Sequence, residues 1–424
     1  MSRWNGFGRR SSRRTPGRST SGVRLNRGMP VHPGPAALAN PYWGDDWPQV
    51  RALWPLEPGW AHLNHGSFGA VPGPVIAAQD QWRARAAANP MRYHLLDEPG
   101  GVVASRHRAA NFLGSDADGV ALVANATTAA STVLAAFDLH PGGEIVVTDH
   151  SYGAVRLAAQ RAAAAADARV VEIEIPIDAD DATVVERVAG ALSERTRLLL
   201  IDQVTSPTAR LFPVAAVIAA AHEVDVPVFV DAAHVPAQLE VDVRALGADF
   251  WTGNFHKWAC AARGTAALYV APRWREQVRP LVTSWSDAEG FPAAFDDIGT
   301  QDLSAWLVLD VALDLLERLS LPRLRAHGRA LVAYGQHVVA DALRVPADEL
   351  WADEELWMRC IPLPAGVAVT EAGKRALWRR ISDELRCEVA VTAWAGRSAL
   401  RISAHAYNAP AEYDRLATGL RTLL

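Results

Sequence analysis

Cysteine is scarce: Cys260, Cys360 and Cys387 are the three in 424 residues. Their spacing offers neither a disulfide framework nor a set of metal ligands. That usage fits a reducing cytoplasm, and no metal is expected. No apolar run approaches the ~18 residues of a membrane span. The start of the chain has no apolar core of the kind a signal peptide carries. Acids are absent before Asp45, where eight arginines stand. With those set aside, 34 of the 42 basic residues face 47 acids, a balance of −13. A body this acidic gives no general footing for nucleic acid.

What is there reads as globular. Half the residues are hydrophobic and 21% are charged, and the length allows one large domain and a smaller one. Residues 1–40 are rich in Arg, Ser, Gly and Pro, which implies a disordered tail. An acid-free, Arg- and Ser-rich start also has the composition of an organelle transit peptide, but a solvated tail is the simpler reading. A large α/β domain is expected over 41–330, with 41–73 contributing to a site. A small α+β domain is expected over 331–424.

Strand-like apolar runs fall at 120–124, 144–148, 169–175, 197–202, 226–231, 248–252 and 265–270. Helical patterns separate most of them, at 152–166, 180–192 and 214–223, after two more at 74–88 and 101–113. Such alternation implies a large, seven-stranded, mostly parallel sheet with helices on both faces. A long helical region over 303–343 leads out of it. The remainder has strands near 357–362, 388–393 and 399–403, and helices at 371–384 and 411–423.

One stretch organises the rest: VPVFVDAAHVPAQLEVDVRALGADFWTGNFHK, residues 226–257. It sets Asp231 at the end of one strand and Lys257 just past the end of the next. In open α/β sheets that edge is where ligands bind. An acid and an amine so placed suit pyridoxal phosphate, which needs a lysine for its Schiff base and an acid against its pyridinium nitrogen. Taken singly, Lys257 is a surface lysine and Asp231 a helix N-cap.

Other clusters gather at the same edge. The loop 61–69 holds Asn64, His65 and Ser67 between small residues. Asn125-Ala-Thr-Thr128 opens a helix after the first strand, a place for a phosphate or for an ordinary cap. After the second strand, His150 or Tyr152 could cover a cofactor ring or meet substrate, with a capping cluster as the plain alternative. Ser206 follows the strand ending at Asp202, and His234 lies three residues beyond Asp231. Thr300 stands in a Gly-containing turn. Arg401 sits mid-strand, where a buried arginine wants a carboxylate; a substrate's carboxylate and an internal salt bridge both satisfy that.

Leu63-Asn-His-Gly-Ser-Phe-Gly69, Asn125-Ala-Thr-Thr128, Asp231-Ala-Ala-His234, His256-Lys-Trp258, Gly299-Thr-Gln-Asp302 and Leu400-Arg-Ile-Ser403 together resemble the class V, fold type I family of pyridoxal-phosphate enzymes. The likeness points in particular to isopenicillin N epimerase-like members. It implies that Lys257 carries the cofactor and moves protons, and that Asp231 pairs with the pyridine nitrogen. It places His234 and Ser206 near the phenolic oxygen, and Thr127, Thr128, Asn254 and His256 on the phosphate side. Tyr152 or His150 would cover the ring. Arg401, with Asn64 and His65, would bind the substrate. A homodimer with its sites at the interface is implied, Thr300 reaching the partner's phosphate. Family members often have Gly where Ala209 and Ala232 stand. They also include desulfurases with a mobile nucleophilic cysteine, for which Cys387, at the entry to a strand, is ill placed.

The core set supports several outcomes at the α-carbon of an amino acid. An epimerase-like reaction on an amino acid or its conjugate, in secondary metabolism such as antibiotic biosynthesis, is the reading the resemblance favours. It needs a second acid such as Tyr152 or His65. A C–S β-lyase acting on a cysteine conjugate or sulfoxide, of the ergothioneine or lincosamide type, is the alternative, and transamination shares the same residues. A non-catalytic binding or regulatory protein on this fold would be expected to have lost Lys257 or Asp231.

Overall fold

Short runs buried on both faces assemble a seven-stranded sheet. In the computed structural model residues 43–424 are described; the segment expected to be a disordered tail lies outside them. After a two-residue strand β1 (Ala61–His62), the sheet is built from β2 (Val120–Val123), β3 (Glu144–Thr148), β4 (Arg169–Ile173), β5 (Thr196–Asp202), β6 (Val228–Asp231), β7 (Phe250–Asn254) and β8 (Ala266–Val270). Their order is β2-β8-β7-β6-β5-β3-β4. Only β8 runs antiparallel to its neighbours. Alternate residues serve opposite faces, as strand geometry requires. Val120, Val146, Leu199 and Val230 face one apolar layer. Ala121, Val147, Leu200 and Phe229 face the other, against helices Ala126–Ala136 and Gly153–Ala165.

One strand differs usefully from its expected bounds. β7 begins at Phe250, two residues late, because Asp249 is spent on anchoring. Its carboxylate accepts from Arg273, from Trp274 Nε1 at 2.7 Å and from the Val228 amide at 2.9 Å. The shift carries Asn254 into the strand and leaves a loop of two residues before Lys257.

The helical region 303–343 also breaks, into Leu309–Leu319 and Leu321–Leu343, with Ser320 at φ +68° between them. Pro322 has no N–H and cannot continue the preceding helix's hydrogen-bond ladder. Beyond it lie β9 (Met358–Pro362), β10 (Cys387–Glu388), β11 (Ala390–Trp394) and β12 (Arg397–Ser403). β9, β11 and β12 form an antiparallel sheet in the order β11-β12-β9, covered by helices from the same region. β1 pairs in parallel with β10, so the early loop is tied to the C-terminal part, and Leu63 is buried in that part's core.

Ala209 adopts φ +52°, a left-handed conformation that costs an L-residue roughly 1–2 kcal/mol. Glycine, free of the Cβ penalty, would relieve it. Ala209→Gly is expected to stabilise the protein by up to about 1 kcal/mol once the added freedom of the unfolded chain is subtracted. Chemical denaturation checks this; a loss of stability contradicts the strain.

No helix among the described residues is long and apolar enough to cross a membrane.

Candidate active site

The carboxyl edge of the sheet surrounds a cavity of about 250 Å³. β6 brings Asp231, β5 brings Asp202, and the short loop after β7 brings His256 and Lys257. Tyr152, Thr127, Asn254, Ser206 and His234 also line it. Gly69 lets loop 61–69 press on this wall, since a Cβ there would overlap the carbonyl oxygens of His256 and Lys257.

The lysine's protonation follows from its neighbours. Lys257 Nζ lies 3.1 Å from His234 Nε2. On the ring's other side, Trp258 Nε1 donates to His234 Nδ1 at 3.3 Å. An indole N–H can only donate, so Nδ1 must be the bare nitrogen. Burial holds His234 well below its ordinary pKa, with Lys257 and Arg401 adding to the effect. The neutral ring therefore carries its proton on Nε2 and turns an N–H toward the lysine. An ammonium has no lone pair to receive it; a free amine does. Burial, then the charge of Arg401, lowers Lys257 to about 7, against opposing pulls from Asp231 and Asp202. Both arguments favour the free amine of Lys257 from about pH 7 upward, the form that attacks a carbonyl.

This gives Trp258 a positioning role that can be tested directly. The chain contains two lysines, Lys257 and Lys374, so isotope-labelled lysine side chains give two NMR signals. In Trp258→Phe the ring is free to move its proton to Nδ1 and accept from an ammonium. The Lys257 titration is expected to rise by about one pH unit, roughly 1.4 kcal/mol. An unchanged titration in a folded variant contradicts the role.

Asp202 and Asp231 stand side by side in register on β5 and β6. Burial raises both, and Asp231 pushes Asp202 further, well above the carboxylate range. Of the two, Asp202 is pushed the further toward its protonated form. It accepts from the Tyr152 amide at 3.3 Å. Asp231 accepts from the Ala233 amide at 3.0 Å and has no ion pair among the described residues. A buried acid facing a cavity without a counter-charge suits a cationic ring nitrogen.

At the far end, helix Ala126–Ala136 points its N-terminus into the cavity. Asn125 caps it, accepting from the Thr128 amide and hydroxyl. Asn254 Oδ1 accepts from the Ala126 amide at 2.9 Å. A helix N-terminus with a flanking hydroxyl suits a phosphate. His256 uses Nδ1 on the Thr265 carbonyl at 2.9 Å. It is lowered to about 4, chiefly by burial, and so is neutral.

Arg401 on β12 is buried and meets no carboxylate among the described residues. Its guanidinium donates to the Ser206 carbonyl and hydroxyl, at 2.6 and 2.9 Å. It also donates to Ser67 Oγ at 2.7 Å and to Asn64 Oδ1 at 3.3 Å. Its Nε has no partner among the described residues. Desolvation lowers its pKa. A desolvated cation held by neutral acceptors is poised for an anion. Of the expected carboxylate anchor and internal salt bridge, no salt bridge is formed. Asn64 serves the arginine, and Ser206 is committed to it as well.

Six expected residues do not line the cavity: Arg401 and Asn64, which reach it through Ser67 and Ser206, Thr128, whose amide and hydroxyl are spent on Asn125, and His150, His65 and Thr300. His150 is fully buried, bonded to Thr208 Oγ1 at 2.7 Å and the Ile175 carbonyl at 2.8 Å. Packed against Phe212 and Trp394, it braces the loop and leaves Tyr152, 45% exposed, to face the cavity. His65 is also fully buried. Its Nδ1 meets Tyr407 Oη, and its Nε2 donates to the Lys257 carbonyl at 2.9 Å. It supports the lysine's backbone from behind and is closed to substrate. Thr300, expected at the phosphate of a partner subunit, is exposed and does not line this chain's own cavity.

Sequence reasoning missed Trp258, Asp202 and the group behind His65. There Cys260 Sγ lies 3.8 Å from His65 Nε2 and 3.5 Å from His405 Nε2. Asp202 had a signal, as a second acid closing a strand run. The scarcity of lysine was another: with two in the chain, one at a strand edge is unlike a surface lysine.

Comparison with known proteins shows the family and the fold. The family model "Aminotransferase class-V" matches residues 70–348. The isopenicillin N epimerase of Streptomyces clavuligerus is 30% identical over 400 residues, covering 89% of this chain and 98% of that protein. A putative L-cysteine desulfhydrase of Oryza sativa subsp. japonica is 36% identical over 289 residues, 64% of this chain and 60% of that protein. Among solved structures, a C-DES mutant with glycine covalently linked to its PLP cofactor superposes with a TM-score of 0.75 at 19% identity, covering 88% of this chain and 98% of that one.

Proposed function

This chain belongs to the class-V aminotransferase family, and on that premise we propose that it is a pyridoxal-phosphate-dependent enzyme that removes the α-proton of an amino acid or amino-acid conjugate. The observation that carries the reading is the Lys257 amine, 3.1 Å from His234 Nε2 in a cavity that also presents Asp231. The residues fit the cofactor. Lys257 would hold it, Asp231 would face its ring nitrogen, and Thr127 with the helix N-terminus would take its phosphate. When bound, it supplies an electron-withdrawing ring that makes an α-proton removable.

The chain's own groups then divide the work. Arg401 binds the substrate carboxylate and so fixes which bond faces Lys257. Lys257 takes the α-proton at Nζ. His234, pinned as an Nε2–H donor, would donate to the cofactor's phenolic oxygen. Tyr152 lines the cavity and is the group available to deliver a proton to the opposite face, since His65 is sealed away. That favours an epimerase-like reaction, in keeping with isopenicillin N epimerase among the relatives. A C–S β-lyase is the second reading, supported by the desulfhydrases among them. Sulfur transfer to a protein cysteine finds no nucleophile, because Cys260, Cys360 and Cys387 are all buried and burial raises all three thiols. A homodimer is part of the proposal, supported by Phe68 and Trp285, which are 71% and 97% exposed in the single chain.

Incubation with cysteine conjugates in D₂O separates the two readings. α-Deuteration with inversion and no keto acid is the epimerase result. Pyruvate release is the lyase result. Neither, in a cofactor-loaded protein, contradicts both.

A further inference from the structure

Asp202 is buried and lines the cavity, yet none of the steps above uses it. It closes β5 and has no ion pair among the described residues. What it touches is the turn between β3 and helix Gly153–Ala165. The Tyr152 amide donates to Asp202 Oδ1 at 3.3 Å, and the Ser151 hydroxyl hydrogen-bonds the same carboxyl.

The other residues of that turn are held elsewhere. Asp149 Oδ1 accepts from the Ile175 amide at 3.0 Å. His150 bridges Thr208 Oγ1 and the Ile175 carbonyl. The Ser151 amide donates to the Thr148 carbonyl at 3.0 Å. Only Asp202 fixes the amide of Tyr152 itself. The direction of that amide sets how the Cα–Cβ bond leaves the chain, and so where the phenol can reach. Precision matters there, since a misplacement of about 1 Å in a reacting group can cost about 10²-fold in rate.

We propose that Asp202 is a positioning residue that holds the Tyr152 backbone so that the phenol delivers its proton to the face of the α-carbon opposite Lys257, a role that rests on the epimerase-like reading above. Inversion moves two protons. The α-carbon gives one to Lys257 Nζ and takes one on its other face from Tyr152 Oη. Solvent then restores the proton of Tyr152, whose side chain is exposed, and takes the extra proton from Lys257. The role needs an acceptor oxygen and no charge. Burial and Asp231 already favour the uncharged carboxyl, and an asparagine keeps the acceptor.

The test incubates the cofactor-loaded full chain with L-alanine and with S-methyl-L-cysteine in D₂O, and measures α-deuteration with retention and with inversion separately. In Asp202→Ala, and in Asp202→Leu, which leaves no cavity, the ratio of inversion to total exchange is expected to fall about 10²-fold. Tyr152→Phe should show the same fall, and the double variant Asp202→Ala/Tyr152→Phe no further one, since both act on a single step. Asp202→Asn should keep the ratio of the unaltered protein. Exchange and inversion lost in equal proportion, a ratio that falls as far in Asp202→Asn, or losses that add in the double variant overturn the role. An unaltered protein that exchanges the α-proton or releases pyruvate without inverting contradicts the epimerase-like reading, and one that does none of these contradicts α-proton removal itself; the role of Asp202 falls with either.

Discussion

Lys257→Ala is expected to fold, to lose covalent retention of pyridoxal phosphate, and to lose at least about 10³-fold in turnover, within the range that a positioned proton-transfer group supplies. The protein around Lys257 explains the size of the loss. Of the two lysines, only Lys257 lines the cavity, so no neighbouring amine can substitute. Folding should survive, because the amine makes no ion pair among the described residues. The same geometry sets a pH dependence. Burial lowers the amine to about 7; below that value it is protonated and cannot attack the cofactor's carbonyl. The rate of cofactor uptake by the free protein should therefore rise through pH 7 and level off above it. The stability sign agrees. Between pH 7 and 9 the unfolded chain holds the Lys257 proton that the folded chain has released, so stability rises with pH in that window. In Lys257→Ala that rise should disappear. Uptake that keeps rising toward pH 10 would show that the amine has an ordinary pKa, and would contradict the His234 argument.

Arg401→Met should raise KM by roughly 10²–10³-fold, the cost of removing one partner from a buried charge pair, without lowering thermal stability. The second half separates function from structure. In the free protein the guanidinium is buried among neutral acceptors with Nε unpartnered. A charge in that state is a cost of folding, and an apolar side chain of similar length relieves it. Were Arg401 a structural tie between β12 and the loops holding Ser67 and Ser206, the same substitution would lower the melting temperature and leave KM for short amino acids unchanged. Arg401→Lys should recover little, because a point charge does not reproduce the two-pronged contact with a carboxylate.

The fold was legible wherever local pattern and tertiary fate coincide. β3 matches its expected bounds because Ile145, Val146 and Val147 are buried on both faces of the sheet and the polar Glu144 and Thr148 close the run. The start of β7 was not legible, since it depends on Asp249 meeting Arg273 and Trp274, partners the apolar pattern does not encode. The site divides the same way. Asp231, Lys257 and Thr127 could be placed because they follow strand ends, and strand ends define the edge. His65 and His150 looked equally suitable as residue types and lie in the right loops. Their burial is decided by residues far along the chain: Tyr407 and Ser403 for His65, Thr208 and Trp394 for His150. Trp258 escaped notice because its role exists only once the loop brings its indole to the far nitrogen of His234.

The most direct measurement is to reduce the cofactor-loaded protein with borohydride, digest it and locate the attached pyridoxyl mass. The account predicts that the mass sits on Lys257, with Lys374 unmodified, and that Lys257→Ala carries none. A label on Lys374, or a protein that binds no cofactor and yields no labelled peptide, would contradict it.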